Sequence, residues 1–252
     1  MNSFKKVPAI EKAVAILDLL AREKRPLSLA EISSKLALNK STVFNIIYTL
    51  MEQNLLERVS PNSYQLGFRL HLLGRSAGKG SALINAIHPF LEEINQKTLL
   101  SAFLGMMHQN RAIILDKVDD AFDIKIHSEI GMRLPLLAGA GGRALLSLLK
   151  DEEIEEILKK NQLKKFTPMS VTDKEVYKNL IKEVREEGIA IDMEEYIEGI
   201  RALSIPIRTP VVKSPLAIWA VGLKGQIPEE RIPELKAYLI QVKERIEERL
   251  NL

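Results

Sequence analysis

Cysteine is absent from all 252 residues, which excludes disulfides, thiolate metal sites and a cysteine nucleophile, and fits a reducing compartment. No apolar run approaches the ~20 residues needed to cross a bilayer. The opening MNSFKKVPAIEK also lacks the apolar core of a signal peptide, so a soluble, cytoplasmic chain with no membrane partner is expected. Histidine is scarce: His71, His88, His108 and His127 have no metal-ligand spacing, and no serine has the strand-to-helix context of a nucleophile elbow. The acidic groups Asp119-Asp120 and Asp192 with Glu194 and Glu195 look no different from charged surface turns, with Glu194 and Glu195 facing solvent. Catalysis is not expected from this inventory, and neither a metal nor a cofactor is implied.

What the chain does hold is ordinary globular material, 46% hydrophobic and 27% charged, long enough for one large or two modest domains. Its most informative stretch is 28–50, SLAEISSKLALNKSTVFNIIYTL, where two short amphipathic helices meet at a tight turn. In the first, Leu29, Ile32 and Leu36 share a face behind a capping box of Ser28 and Glu31. In the second, Val43, Ile46, Ile47 and Leu50 form the buried stripe, so Ser41, Thr42 and Asn45 must point the other way. Upstream, Ala13, Ile16, Leu17 and Leu20 supply a third helix. Downstream, residues 55–59 and 64–66 read as a hairpin closed by Ser60, Pro61, Asn62 and Ser63. Three helices and a hairpin make a winged helix-turn-helix.

Charge is divided unevenly. Residues 1–80 carry 12 Lys and Arg against 6 Asp and Glu, net +6, whereas the remainder carries 24 against 27, net −3. The basic surplus falls on the segment that would meet phosphates.

After Gly67, residues 68–79 read as a linker helix and 83–98 as the first helix of a second domain, with Gly74, Gly78 and Gly80 loosening the joint. From Ser101 the period changes: SAFLGMMHQ, RAIILDKVD and DIKIHSEIG are short strand-like runs, the middle one with the look of a central strand. A Gly-Ala-Gly-Gly turn then precedes RALLSLL and a charged helix over 151–160. A capping box of Thr172 and Glu175 opens a helix that stops at Gly188; ALSIPIR and LAIWAVGL follow as strands, and an amphipathic helix over 228–250 closes the chain. The expected class is α+β, with a DNA-binding domain over 1–67, a linker helix over 68–80 and an effector-binding and oligomerisation domain over 81–252.

With these segments in hand, the chain resembles the isocitrate lyase regulator (IclR) family of bacterial transcription factors over essentially its whole length. The resemblance is carried by KAVAILDLL, SLAEISSKLALNKSTVFNIIYTL, the YQLG end of the hairpin, RLPLLAGAGGRALLS, FTPMSVTD, VREEGIAIDMEEYIEGIRALSIPI and the closing helix. It implies a winged helix-turn-helix, a GAF-like α/β effector domain, and dimers that often pair into tetramers on operator DNA. The chain departs from the family at Asn45, where many relatives carry Arg, and at Ala202, where many carry Cys. Ala220 and Gly222 stand where serines commonly help to hold a ligand.

For double-stranded DNA the expected contacts are Lys40, Ser41, Thr42 and Asn45. Asn takes adenine at N6 and N7, Ser and Thr reach base or phosphate, and Lys reaches phosphate or guanine. Ser41 and Thr42 can also simply cap or solvate the helix. Arg58 and Asn62 on the wing and Arg69 after it are candidates for the phosphate backbone; Phe44 lies off the apolar stripe and suits the wing or a thymine methyl. For an effector, Gly139, Ala140 and Gly141 open a helix whose free amides can receive a carboxylate, or they mark a turn packed close to a strand. By resemblance Asp192 is the pocket acid, and Met106, Leu134, Leu136, Ala202, Trp219, Ala220 and Gly222 are walls that plain core would equally explain. The expected partner is a small molecule, an organic acid in the first place, with an acidic or hydroxyl head and an apolar body for which an aromatic ring is one option. The function expected is a ligand-responsive repressor of catabolic genes, acting on a palindromic operator as homodimer or homotetramer. The alternative is a ligand-independent DNA-binding protein whose second domain only oligomerises.

Overall fold

The structure, a computed structural model, describes residues 7–23, 25–76, 79–119 and 128–251. The chain forms two compact units, Met1–Ser81 and Ala82–Leu252.

The first unit runs α1 (Pro8–Glu23), β1 (Leu27–Ser28), α2 (Leu29–Leu36), α3 (Lys40–Glu52), β2 (Leu56–Ser60), β3 (Ser63–Leu66) and α4 (Arg69–Ser76). One core joins Ile16, Leu19 and Leu20 of α1, Ile32 of α2 and Val43, Ile47 and Leu50 of α3 to Leu27, Leu56 and Tyr64. The capping box forms: the Glu31 amide donates to Ser28 Oγ at 3.2 Å, and the Ser28 amide donates to Glu31 Oε2 at 2.8 Å. Helix α2 stops at Ala37, which adopts a left-handed conformation (φ 51°) and turns the chain into α3. The sheet order is β1-β3-β2, antiparallel throughout, with Leu27 opposite Tyr64. Strand β1 escapes sequence reading because two residues carry no alternation.

The second unit contains α5 (Lys79–Thr98, its start in the first), β4 (Ser101–His108), β5 (Arg111–Val118), β6 (Arg133–Pro135), α6 (Gly139–Leu146), α7 (Asp151–Lys160), α8 (Lys174–Glu187), β7 (Ala190–Met193), β8 (Ile200–Ile207), β9 (Leu216–Leu223), a 3-10 turn (Glu229–Arg231) and α9 (Ile232–Asn251). Among the described residues its strands form one antiparallel sheet in the order β6-β5-β4-β9-β8-β7. Helices α5 and α9 cover one face, where Ile87, Leu91, Leu239 and Val242 meet Leu104, Leu203, Ile205, Ile218 and Ala220. Helices α6, α7 and α8 cover the other, where Ala144, Leu158 and Ile181 meet Phe103, Ile114, Ala217 and Trp219. This is the expected α+β class.

Several local expectations are corrected. The strand pair at the middle of the sheet is β4 and β9, and β5 lies second from the edge. Of the run DIKIHSEIG, residues 123–127 lie outside the described residues, and Ile130 and Gly131 form a turn. The glycines of Gly-Ala-Gly-Gly sit inside α6, not before it. Asp173, not Thr172, caps α8, accepting from the amides of Glu175 and Val176 at 2.8 and 2.9 Å. Helix α5 begins at Lys79, four residues before the expected start, and β7 was not expected as a strand.

Candidate DNA interface and effector pocket

On α3 the helical period that buries Val43, Ile47 and Leu50 turns Lys40, Ser41, Phe44, Asn45 and Tyr48 to the exposed side, with Thr42 half-buried. Ser41, Phe44, Asn45 and Tyr48 fall at i, i+3, i+4 and i+7, a single stripe. The rings of Phe44 and Tyr48 stack along it, centroids 6.4 Å apart and planes 21° apart. Tyr48 was missed from sequence, although its spacing from Ser41 was the available signal. Arg58, exposed on β2, holds its guanidinium 5.6 Å from the centre of the Tyr64 ring, and Asn62 is exposed at the hairpin tip. Arg69 has a second job: its Nη1 donates to the Gln53 carbonyl at 2.9 Å and to Gln53 Oε1 at 3.0 Å, tying the end of α3 to the start of α4.

The second unit holds a cavity of about 870 Å³, open mouth included, on the α6 side of the sheet. Its walls include Phe103 of β4, Ile114 of β5, Leu134 of β6, Ala202 of β8, Trp219 and Val221 of β9, and the first turn of α6; Tyr196 and Ile197 close it from the 194–199 loop. Of the residues expected from sequence, it brings together Leu134, Gly139, Ala140, Gly141, Asp192, Ala202 and Trp219. It does not include Met106, Leu136, Ala220 or Gly222. A strand sends successive side chains to opposite faces, so Trp219 on the cavity side puts Ala220 under α5 and α9 and Gly222 against Leu100 and Gln226. The same alternation on β4 turns Met106 away, and Leu136 is buried in the core behind α6.

The glycines of α6 are explained by close approach. A Cβ at Gly139 would lie 2.3 Å from Asp192 Oδ2, one at Gly141 2.7 Å from the Trp219 indole, and one at Gly142 1.8 Å from the Leu136 carbonyl oxygen. The first turn of α6 is thus pressed onto Asp192, which accepts from the Glu195 amide at 2.6 Å and from the Ala140 amide. Burial pushes the Asp192 carboxyl up to about 6, and the neighbouring Glu195 charge adds to this; the two amides and Arg143 pull the other way.

Glu194 and Glu195 do not face solvent. Glu195 takes both Nη atoms of Arg143, a side chain 2% exposed, and Arg143 Nη2 also donates to the Ile191 carbonyl. Burial opposes the Arg143 charge, but the Glu195 carboxylate outweighs it and holds the guanidinium above its ordinary value. Glu194 meets Lys224 at 2.7 Å and Arg201 at 3.4 Å. The 194–199 loop is further held by Thr167 Oγ1, which donates to the Glu194 carbonyl at 2.7 Å, and by Phe166, whose ring meets Tyr196 edge-on at 5.0 Å. Among the described residues no cluster of His, Asp and Glu is arranged to hold a metal ion, and no helix is long and apolar enough to cross a membrane.

A winged helix followed by an α/β unit with an open-mouthed, mostly apolar cavity defines a class of two-part DNA-binding regulators. Residues 9–60 match the model of the IclR helix-turn-helix domain, and residues 76–248 match that of the bacterial transcriptional regulator IclR C-terminal domain. The chain belongs to the IclR family of bacterial transcriptional regulators. It is 27% identical to the HTH-type transcriptional regulator XynR of Escherichia coli over 236 residues, 93% of this chain and 94% of that one. Its fold matches the IclR transcriptional regulator of Alicyclobacillus acidocaldarius with a TM-score of 0.84 at 26% identity, covering 98% of this chain and all of the other. A Microbacterium hydrocarbonoxydans IclR homologue solved with 4-hydroxybenzoate shares the fold, with a TM-score of 0.85 at 21% identity over 96% of this chain and 98% of that one.

Proposed function

We propose that this regulator represses catabolic genes by seating α3 in the major groove of a palindromic operator, and that a small organic acid with an apolar body, bound in the cavity of the second unit, modulates that binding. The observation that carries the effector reading is the cavity itself, apolar on the strand side and polar where the α6 amides meet Asp192. A relative of the same fold holds 4-hydroxybenzoate, an aromatic acid of this chemical class. DNA contact is assigned to Lys40, Ser41, Thr42 and Asn45 for the bases, with Arg58, Asn62 and Arg69 on phosphates, all but half-buried Thr42 exposed. Effector contact is assigned to Leu134, Gly139, Ala140, Gly141, Asp192, Ala202 and Trp219. A homodimer or homotetramer is supported by apolar residues left uncovered within a single chain: Val7, Ile10 and Val14 at one-turn spacing in and beside α1, and Phe68 and Leu73 in and beside α4.

Calorimetry on the full chain tests the effector. 4-Hydroxybenzoate and longer acids are expected to bind, and glyoxylate and pyruvate are not, because a small polar acid leaves its oxygens against apolar walls. Tight binding of glyoxylate with none of the larger acids overturns the assignment, and unchanged affinities in Asp192→Ala remove the proposed anchor.

A further inference from the structure

On α3, the helix that faces DNA in the reading above and on which this inference rests, two large rings stand where polar readers are expected. Phe44 is 51% exposed and Tyr48 57% exposed, and neither belongs to the core that Val43, Ile47 and Leu50 complete on the opposite side. They flank Asn45 on the same stripe, and their stacked arrangement holds each ring partly in place before any partner arrives. A half-exposed phenyl group on the helix that faces DNA can bury its remaining apolar surface in a complex, and the major groove offers it one apolar feature, the 5-methyl group of thymine. The edges of guanine, adenine and cytosine present donors and acceptors there, and a ring laid on them strands those groups without a partner.

We infer that Phe44, braced by Tyr48, is a specificity-determining residue that reads a thymine methyl, so that the preferred duplex carries thymine beside the base pair that Asn45 addresses. Bracing lowers the side-chain entropy lost on docking, which is why the pair and not a lone phenylalanine suits this task.

The test uses the full-length protein. A preferred duplex is selected from a random library, and each thymine is then replaced singly by uracil, which deletes only the methyl group. Binding is read by fluorescence anisotropy for the parent, Phe44→Leu and Phe44→Ala. One thymine per half-site is expected at which uracil weakens the parent about four-fold, the effect of taking one methyl group out of contact. At that position the same change is expected to have no further effect on Phe44→Ala and a reduced one on Phe44→Leu, since the two deletions remove one shared contact. Equal uracil effects in parent and Phe44→Ala at every thymine overturn the inference while leaving α3 as the reading helix. A Phe44→Ala change that alters oligomeric state and not the uracil response assigns the rings to a second copy of the chain and also overturns it. Failure to select any preferred duplex removes the reading of α3 and this inference with it.

Discussion

Arg143 is a charged side chain placed almost wholly out of water, held by both oxygens of Glu195 and by the Ile191 carbonyl. A buried pair of this kind costs most when only one member is removed, because the survivor keeps its charge without compensation. Arg143→Met or Glu195→Gln is expected to cost the second unit about 3–5 kcal/mol, and joining Arg143→Met with Glu195→Leu to recover much of it. Urea unfolding followed through Trp219, the single tryptophan, reads this unit directly. A double-variant loss equal to the sum of the two single losses would show that the two side chains do not act jointly. Asp192 gives the opposite sign of pH dependence from an ordinary carboxylate. Its folded-state value of about 6 lies above 3.8, so the folded protein holds the proton more tightly than the unfolded chain does. Stability owed to this group is therefore present below pH ~4 and lost as pH rises through about 6, at most about 3 kcal/mol at 1.36 kcal/mol per unit. Asp192→Asn is expected to flatten the stability profile between those limits; an unchanged slope would show that the carboxylate is not desolvated. The residue types at these sites were legible, but the pairing of positions 143 and 195 was not. A charge run on a turn looks solvated until a partner 52 residues away is brought beside it.

At the scale of elements, the capping box, the hairpin and the Gly188 stop were readable because each is decided within four residues of chain. Ser28→Ala is expected to destabilise the first unit by about 0.5–2 kcal/mol, the usual range for a lost N-cap, with the start of α2 fraying in amide exchange. Protection of α2 equal to that of the parent would contradict the cap's role. The box also explains why Glu31 is held down to about 2, first by the Ser28 amide and then by Arg25, so it persists as pH falls until that value is approached. Gly142→Ala should cost the second unit about 1–3 kcal/mol or more, since its Cβ would press on the Leu136 carbonyl rather than on a side chain able to move. An unchanged urea midpoint for Gly142→Ala would place α6 farther from β6. The expected trio Trp219, Ala220 and Gly222 failed as a single wall for the simplest reason available. A strand has two faces, and β9 is apolar on both.

Across the whole molecule, charge separates the two functions. The net +6 of residues 1–80 predicts DNA affinity that falls steeply with salt, by roughly 0.9 log units per tenfold salt for each phosphate neutralised. Four or more neutralised phosphates per bound unit would give a slope of about −3.6 or steeper, and a slope shallower than about −2 in anisotropy titrations of the full chain would mean that the basic surplus does not meet the backbone. Sequence by itself determined the α+β class, the winged helix and the stripe that carries Ser41 and Asn45, because these follow from short-range periodicity and capping. Tertiary structure alone decided which apolar residues line the cavity, that Glu195 turns inward to Arg143, and that β1 and β7 are strands. Those outcomes depend on which face of an element meets which neighbour across long stretches of chain, and local pattern carries no record of that choice where both faces are apolar.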